Sequence, residues 1–163
     1  MDSDSPRLII PKPAIAATSL SMLRLLQAVG IEPAATAGHS FGEVIALHAA
    51  GAYDAATAMQ VAIERGRLMA QAAAEPGAML SVRASLEEVE AFLGPDAGVV
   101  VANHNGPRQV VLSGHTPAIE AVDAKLRESG LSTTRLDVAT AFHSAVVAGA
   151  VEPLRAFLDF IRS

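Results

Sequence analysis

The run Ala37-Gly38-His39-Ser40-Phe41-Gly42-Glu43 sets a serine between two glycines, just where an apolar stretch gives way to the helical pattern Val44-Ile45-Ala46-Leu47. A Gly-x-Ser-x-Gly at a strand-to-helix turn lifts the serine hydroxyl clear of its neighbours, which makes Ser40 a candidate nucleophile. The glycines are expected to permit the sharp turn, a β-carbon at Gly38 or Gly42 crowding it. The start of the next helix offers backbone N–H groups, that of Phe41 foremost, to the oxyanion of a tetrahedral intermediate. The alternative is an ordinary glycine-rich turn before a helix.

A serine hydroxyl needs a base within reach, and histidine is the usual one because it titrates near neutrality. His143, in Thr140-Ala141-Phe142-His143-Ser144, comes after a predicted strand and before a predicted helix, where a loop can aim a side chain into a cleft. On its own it could equally be structural. His39 is expected to pack within the turn, its side chain splayed away from that of Ser40, and His48, His104 and His115 to be structural or at the surface.

These residues need elements to position them. Residues 14–29 carry apolar side chains at helical spacing with Gly30 as the C-terminal cap, and a short strand is expected over 34–37. The helix after Ser40 should run to about Ala50, stopped by Gly51, and another from Ala55 to about Ala74, before Pro76-Gly77. From Ala78 the texture changes to strands 78–82, 99–102, 109–112 and 132–138, interleaved with helices 86–93 and 117–129. That order, βαββαβ, is the split arrangement of a ferredoxin-like lobe. Residues 145–163 read as a helix with Leu154, Phe157, Leu158 and Ile161 on one face.

Composition narrows the chemistry. The 163 residues are 51% hydrophobic and 18% charged, as in a compact soluble protein, and no apolar run reaches membrane-spanning length. The acidic start of the chain is unlike a secretory signal, so the cytoplasm is the expected compartment. The absence of cysteine excludes disulfides and thiolate chemistry, and the five histidines lack a metal-ligand spacing, so no metal is expected. A net charge of -5 without a basic stripe argues against nucleic acid as a partner.

Several separated motifs together resemble the acyltransferases that load malonyl units onto acyl carrier proteins: the transacylases of fatty-acid synthesis and the acyltransferase domains of polyketide synthases. The family's Gly-His-Ser-x-Gly-Glu is similar to Gly38–Glu43, its arginine-bearing helix to Glu64-Arg65-Gly66-Arg67, its Asn-x-Asn-x-x-x-Gln-Val-Val to Asn103–Val111, and its histidine motif to Ala141-Phe142-His143-Ser144. The resemblance implies an incomplete hydrolase-like α/β lobe, 1–77 with 139–163, carrying an inserted ferredoxin-like lobe at 78–138. It implies that Ser40 takes the acyl group from coenzyme A, with His143 as base and then acid, in a ping-pong transfer to the phosphopantetheine arm of an acyl carrier protein. Arg65 would grip the free carboxylate of a malonyl-type group through its planar fork, Arg67 being structural. Phe142 stands where the family's malonyl-selective members place a bulky ring, although Thr140 departs from the histidine that often opens this motif. Asn103, Asn105 and Gln109 match positions near the family's active-site cleft, while amides at strand ends also serve as turn anchors. No permanently bound cofactor is implied, only acyl-coenzyme A as substrate, and the rest of a multidomain synthase is a possible partner.

Two family features have no counterpart in this sequence. Residues 1–13 hold no Gly-Gln-Gly segment, the source of a second oxyanion donor, and the segment that orients the catalytic histidine from beyond its helix is not found before Ser163. The alternatives to a working transferase are therefore a catalytically incomplete fragment or interaction module, and a serine esterase in which Asp123 or Asp137 completes a Ser-Asp-His order.

Overall fold

The computed structural model describes residues 12–73, 76–94, 97–138 and 140–162. They fall into two compact units, one drawn from 71–151 and the other from 8–70 with 152–163. Residues 1–11, with Ala74 and Ser163 at the expected ends of two helices, lie outside the described residues.

The first unit is built on a four-stranded sheet of β1 (Gly77–Val82), β2 (Val99–Gly106), β3 (Gln109–His115) and β4 (Thr133–Arg135) in the order β2-β3-β1-β4. Every neighbouring pair is antiparallel. Helices α4 (Leu86–Glu90) and α5 (Thr116–Glu128) occupy the connections β1 to β2 and β3 to β4. The core is aliphatic: Leu80, Val82, Val110 and Leu112 from the sheet meet Val89 of α4 and Ile119, Val122 and Leu126 of α5.

Several boundaries differ from the sequence reading, each for a local reason. β2 and β3 run beyond 102 and 112 because their cross-strand pairs continue from Val99↔Gly114 to Gly106↔Gln109, closing on the Pro107-Arg108 turn. β4 is shorter than 132–138, since only Thr133–Arg135 find partners, on β1. α4 stops early despite a full capping box, in which Ser85 Oγ accepts from Glu88 N–H and Glu88 Oε2 from Ser85 N–H. The expected tail helix begins as a 3-10 segment, Ala145–Ala150, and becomes α-helical only over α6 (Val151–Arg162). Pro153, which lacks an N–H, sits in the first turn of α6, where a proline is tolerated.

The second unit is helical, with α1 (Lys12–Ala28), α2 (Gly42–Ala49), the main part of α3 (Ala55–Ala72) and α6. Gly30 caps α1 as expected, with Gly30 N–H donating to Gln27 O at 2.9 Å and Ile31 N–H to Leu26 O at 3.0 Å, and Gly51 ends α2 in the same way. Ala16, Phe41 and Ala62 form its small core, flanked by Val44, Ile45 and Met59. Residues 34–37 are not a paired strand: no sheet partner for them exists among the described residues, and they lie exposed. An extended segment becomes a strand only when another backbone supplies the ladder. No helix among the described residues is long and apolar enough to cross a membrane.

Asp123 ties α5 to β4 by accepting from Arg127 Nε at 2.8 Å and from the hydroxyl of Thr133. Partial burial pushes its carboxyl up, but the hydrogen bonds of Thr133 and Arg127 outweigh this and hold it below its ordinary value. A depressed carboxyl stabilises the fold above its unfolded-state pKa, and that contribution disappears as pH falls through the folded-state one. Acid unfolding monitored by circular dichroism should therefore show wild type losing stability relative to Asp123→Asn as pH drops below the usual carboxylate range, with the variant less stable at neutral pH.

Candidate active site

The nucleophile turn is set by its backbone. Ser40 has φ 53°, in the left-handed region where a side chain is strained, and His143 has φ 59°; they are the only non-glycine residues with positive φ among the described residues. Such a conformation costs of order 1–3 kcal/mol and persists only where the surroundings over-determine it. At Ser40 the surroundings are explicit. Gly42 N–H donates to His39 O at 2.9 Å, Glu43 N–H to Ser40 O at 3.2 Å and Val44 N–H to Phe41 O at 3.2 Å, winding the chain tightly into α2. The N–H groups of Gly42, Glu43 and Val44 are thus spent on the turn itself, a correction to the expectation that the helix start offers several of them.

The two glycines prove unequal. A β-carbon at Gly38 would collide with the backbone of Gly42 and the nitrogen of Glu43, whereas one at Gly42 would meet nothing within 4 Å. Gly38 alone makes the close approach, and the crowding expected at Gly42 is absent. Thr36 anchors the incoming chain by donating to Ala46 O at 3.0 Å. Beyond the end of α2, Tyr53 donates its hydroxyl back to Val44 O at 2.6 Å and His48 Nδ1 meets Tyr53 O at 2.8 Å, which gives His48 its structural role. Burial raises the Tyr53 hydroxyl above its ordinary pKa.

Arg65 belongs to the same unit as Ser40. Its guanidinium lies 5.8 Å from the centre of the Phe41 ring, a cation-π distance, and its Nη1 is buried with no hydrogen-bond partner among the described residues. Burial lowers the arginine's pKa and Glu43 works against that. Arg67, two residues on, is instead paired with Glu64 on an exposed helix face, as expected of a structural arginine.

In the sheet unit, the histidine loop is pinned through its main chain. The buried Ser113 of β3 donates its hydroxyl to Phe142 O at 2.6 Å, and Ser144 Oγ donates to Ala141 O at 2.7 Å while accepting from Val146 N–H at 3.3 Å. Ala141 is fully buried against Gly77, where an added β-carbon would stand 2.6 Å from that of Ala141. Thr140 is buried, and its hydroxyl has no partner among the described residues. Between these anchors His143 is exposed and Phe142 half-buried. Asn103 and Asn105 lie in β2 and Gln109 opens β3, all toward the Pro107-Arg108 end of the hairpin, with bulges at Val101/Asn103 and His104/Gly106. Bulges of this kind re-aim side chains. Gln109 thus opens its strand as expected, while Asn103 and Asn105, expected just beyond strand 99–102, lie within β2. Ser113 and the Phe41–Arg65 stack were not foreseen, because neither a serine inside an apolar strand nor an aromatic beside a nucleophile has a distinctive spacing.

A sequence model of the acyl transferase domain matches residues 7–162. The chain belongs to the acyl transferase domain family. The chain is 42% identical over 137 residues to the polyketide synthase GfsA of Streptomyces halstedii, covering 83% of this chain and 2% of that protein. It is 38% identical over 144 residues to hispidin synthase of Neonothopanus nambi, covering 85% and 9%. Among solved structures, the acyltransferase domain of the iterative polyketide synthase in enediyne biosynthesis matches with TM-score 0.85 and 40% identity over 91% of this chain and 40% of that one. The malonyl CoA-acyl carrier protein transacylase of Clostridium perfringens matches with TM-score 0.84 and 31% identity over 91% and 49%. The chain thus spans less than half the length of these structures and a small part of the curated relatives.

The unequal glycines give a sharp test. Gly38→Ala should destabilise the protein by about 1–3 kcal/mol or more, as overpacking does, while Gly42→Ala should stay within about 0.5 kcal/mol of wild type. Urea unfolding of both variants measures the difference.

Proposed function

We propose that this chain transfers a malonyl-type acyl group from coenzyme A, through an ester on Ser40, to the phosphopantetheine thiol of an acyl carrier protein in polyketide or fatty-acid synthesis. The observation that carries this reading is Arg65: a cation in the unit of the nucleophile, stacked on the residue after it, with a buried nitrogen that no group among the described residues satisfies. A buried donor without a partner costs free energy, and a substrate carboxylate would remove that cost by accepting it. The βαββαβ connectivity and the strand order β2-β3-β1-β4 support reading the sheet unit as a ferredoxin-like small lobe, and the helical unit as part of a hydrolase-like α/β lobe. The soluble family and the expected compartment together suit a cytoplasmic enzyme.

In this mechanism Ser40 Oγ attacks the thioester carbonyl as His143 takes its proton, and the Phe41 N–H stabilises the oxyanion. Collapse expels the coenzyme A thiolate, to which His143 returns the proton, leaving the Ser40 ester. The carrier thiol then gives its proton to His143 and attacks that ester, and Ser40 recovers a proton as it leaves. Arg65 holds the free carboxylate, and the Phe142 ring opposes a methyl branch next to it. Asn103, Asn105 and Gln109 are assigned to contacts with the substrate or the carrier arm. These steps call on no permanently bound cofactor, only on acyl-coenzyme A as substrate. An esterase is disfavoured because a hydrolase has no need of Arg65 to grip a malonyl carboxylate, and of its two candidate acids Asp123 is committed to Arg127 and Thr133.

Intact-protein mass spectrometry after brief exposure to malonyl-coenzyme A should show one malonyl adduct, absent from Ser40→Ala. Arg65→Ala should lower kcat/KM by about 10- to 100-fold, the worth of a charged hydrogen bond of roughly 1.5–3 kcal/mol. Phe142→Ser should narrow the preference over methylmalonyl-coenzyme A by at most about 200-fold, the limit for one methyl in an apolar pocket. A folded wild-type chain that takes up no malonyl group, or an adduct that survives Ser40→Ala, would overturn the reading.

A further inference from the structure

Ser113 puts a hydroxyl in the middle of an apolar sheet. In β3, Val110 and Leu112 point into the core shared with α4 and α5, so by strand alternation Val111 and Ser113 line the opposite face. That face is closed as well: Val111 is 4% and Ser113 0% exposed, and the 3-10 segment Ala145–Ala150 packs against β3. β3 lies between β1 and β2, with Ser113 paired to Met79 on one side and to Val100 on the other. Its side chain is thus delivered from a backbone held on both edges. A buried hydroxyl has to find a partner, and this one finds it 29 residues along the chain, in Phe142 O at 2.6 Å.

The bond lands on the peptide plane that carries the N–H of His143. Phe142 C=O and His143 N–H share that rigid plane, so orienting the carbonyl orients ψ of Phe142 and φ of His143 together. The φ of His143 is 59°, a conformation that a side chain disfavours. Three further bonds close within the loop: Phe142 N–H donates to Thr140 O at 3.1 Å, Ser144 Oγ to Ala141 O at 2.7 Å and Val147 N–H to Ser144 O at 3.3 Å. The bare α-carbon of Gly77 lets Ala141 lie on β1, which places the loop without turning the 142–143 plane. The Ser113 hydroxyl is what ties that plane to the sheet.

We infer that the Ser113 hydroxyl imposes the left-handed backbone on His143, which makes Ser113 a positioning residue for the base. Its importance for transfer rests on the role proposed above for His143. Its hold on the backbone does not, and the two are measured separately.

The first measurement is a double-mutant cycle by urea unfolding, with no acyl donor present, on Ser113→Ala, His143→Gly and the two combined. Glycine accepts a positive φ without steric cost, so His143→Gly relieves strain wherever that backbone is enforced. Once the hydroxyl is gone the histidine has already relaxed, and less strain is left to relieve. The effect of His143→Gly on the folding equilibrium constant should therefore be more favourable by about fivefold or more in wild type than in Ser113→Ala. Equal effects in the two backgrounds would overturn the inference, whatever Ser113→Ala does to stability by itself. The second measurement follows malonyl uptake over a range of malonyl-coenzyme A concentrations. Ser113→Ala should lower the maximal rate by about 10- to 100-fold, as a misplaced catalytic group does, with the half-saturating concentration changed by less than about twofold. Ser113→Cys, whose S–H is a weak donor in nearly the same place, should fall between the two, and it carries both measurements should Ser113→Ala not fold. A variant that acylates at the wild-type rate, or that weakens only donor binding, would overturn the positioning role. A wild type that takes up no malonyl group counts against the transfer reading instead, and the cycle, which needs no donor, still decides whether Ser113 holds the backbone.

Discussion

The left-handed backbone at Ser40 is the constraint from which the helical unit is organised. A serine at φ 53° is held there by the first turn of α2, not by its own preference. The carbonyls of His39, Ser40 and Phe41 are drawn into that turn, and the missing β-carbon of Gly38 lets the incoming chain lie directly on Gly42 and Glu43. With the turn fixed, the Phe41 ring enters the core with Ala16 and Ala62, and the same ring supports the guanidinium of Arg65. One side chain thus serves packing and electrostatics together. Moving the turn would shift the helix, the core and the cation at once.

The sheet unit solves a similar problem by different means. His143 also adopts a left-handed backbone, but its loop is fixed from outside, by the Ser113 hydroxyl, by Ala141 wedged onto Gly77, and by the cap that Ser144 places on the 3-10 segment after it. These are main-chain and small-residue contacts, inexpensive in side-chain entropy and short in reach. They suit a loop that must be rigid while leaving an imidazole open to solvent.

The parts of this architecture that local chemistry decides were legible in the sequence. Helices α1, α2, α3 and α5 could be placed from periodicity and from Gly30 and Gly51, and the βαββαβ order from β-branched runs, because each signal lies within a turn or two of the element it controls. The nucleophile motif was legible for the same reason. Features that depend on remote partners were not. The lengths of β2, β3 and β4 are set by cross-strand pairing, and residues 34–37 look like a strand but have no ladder to join among the described residues. Gly42 was indistinguishable from Gly38 as a letter, and only the path of the backbone separates them. The stacking of Arg65 on Phe41 joins residues far apart in the chain and leaves no periodic trace.

The anchoring of the histidine loop has an evolutionary consequence. Residue 142 is held by its carbonyl oxygen, on the Ser113 hydroxyl, and every amino acid presents that oxygen whatever its side chain. The ring of Phe142 can therefore be exchanged for a smaller side chain while the geometry next door at His143 is retained. The side chain at 142 and the backbone geometry at 143 are in this sense separately inherited: a lineage can change the first by single substitutions without disturbing the second.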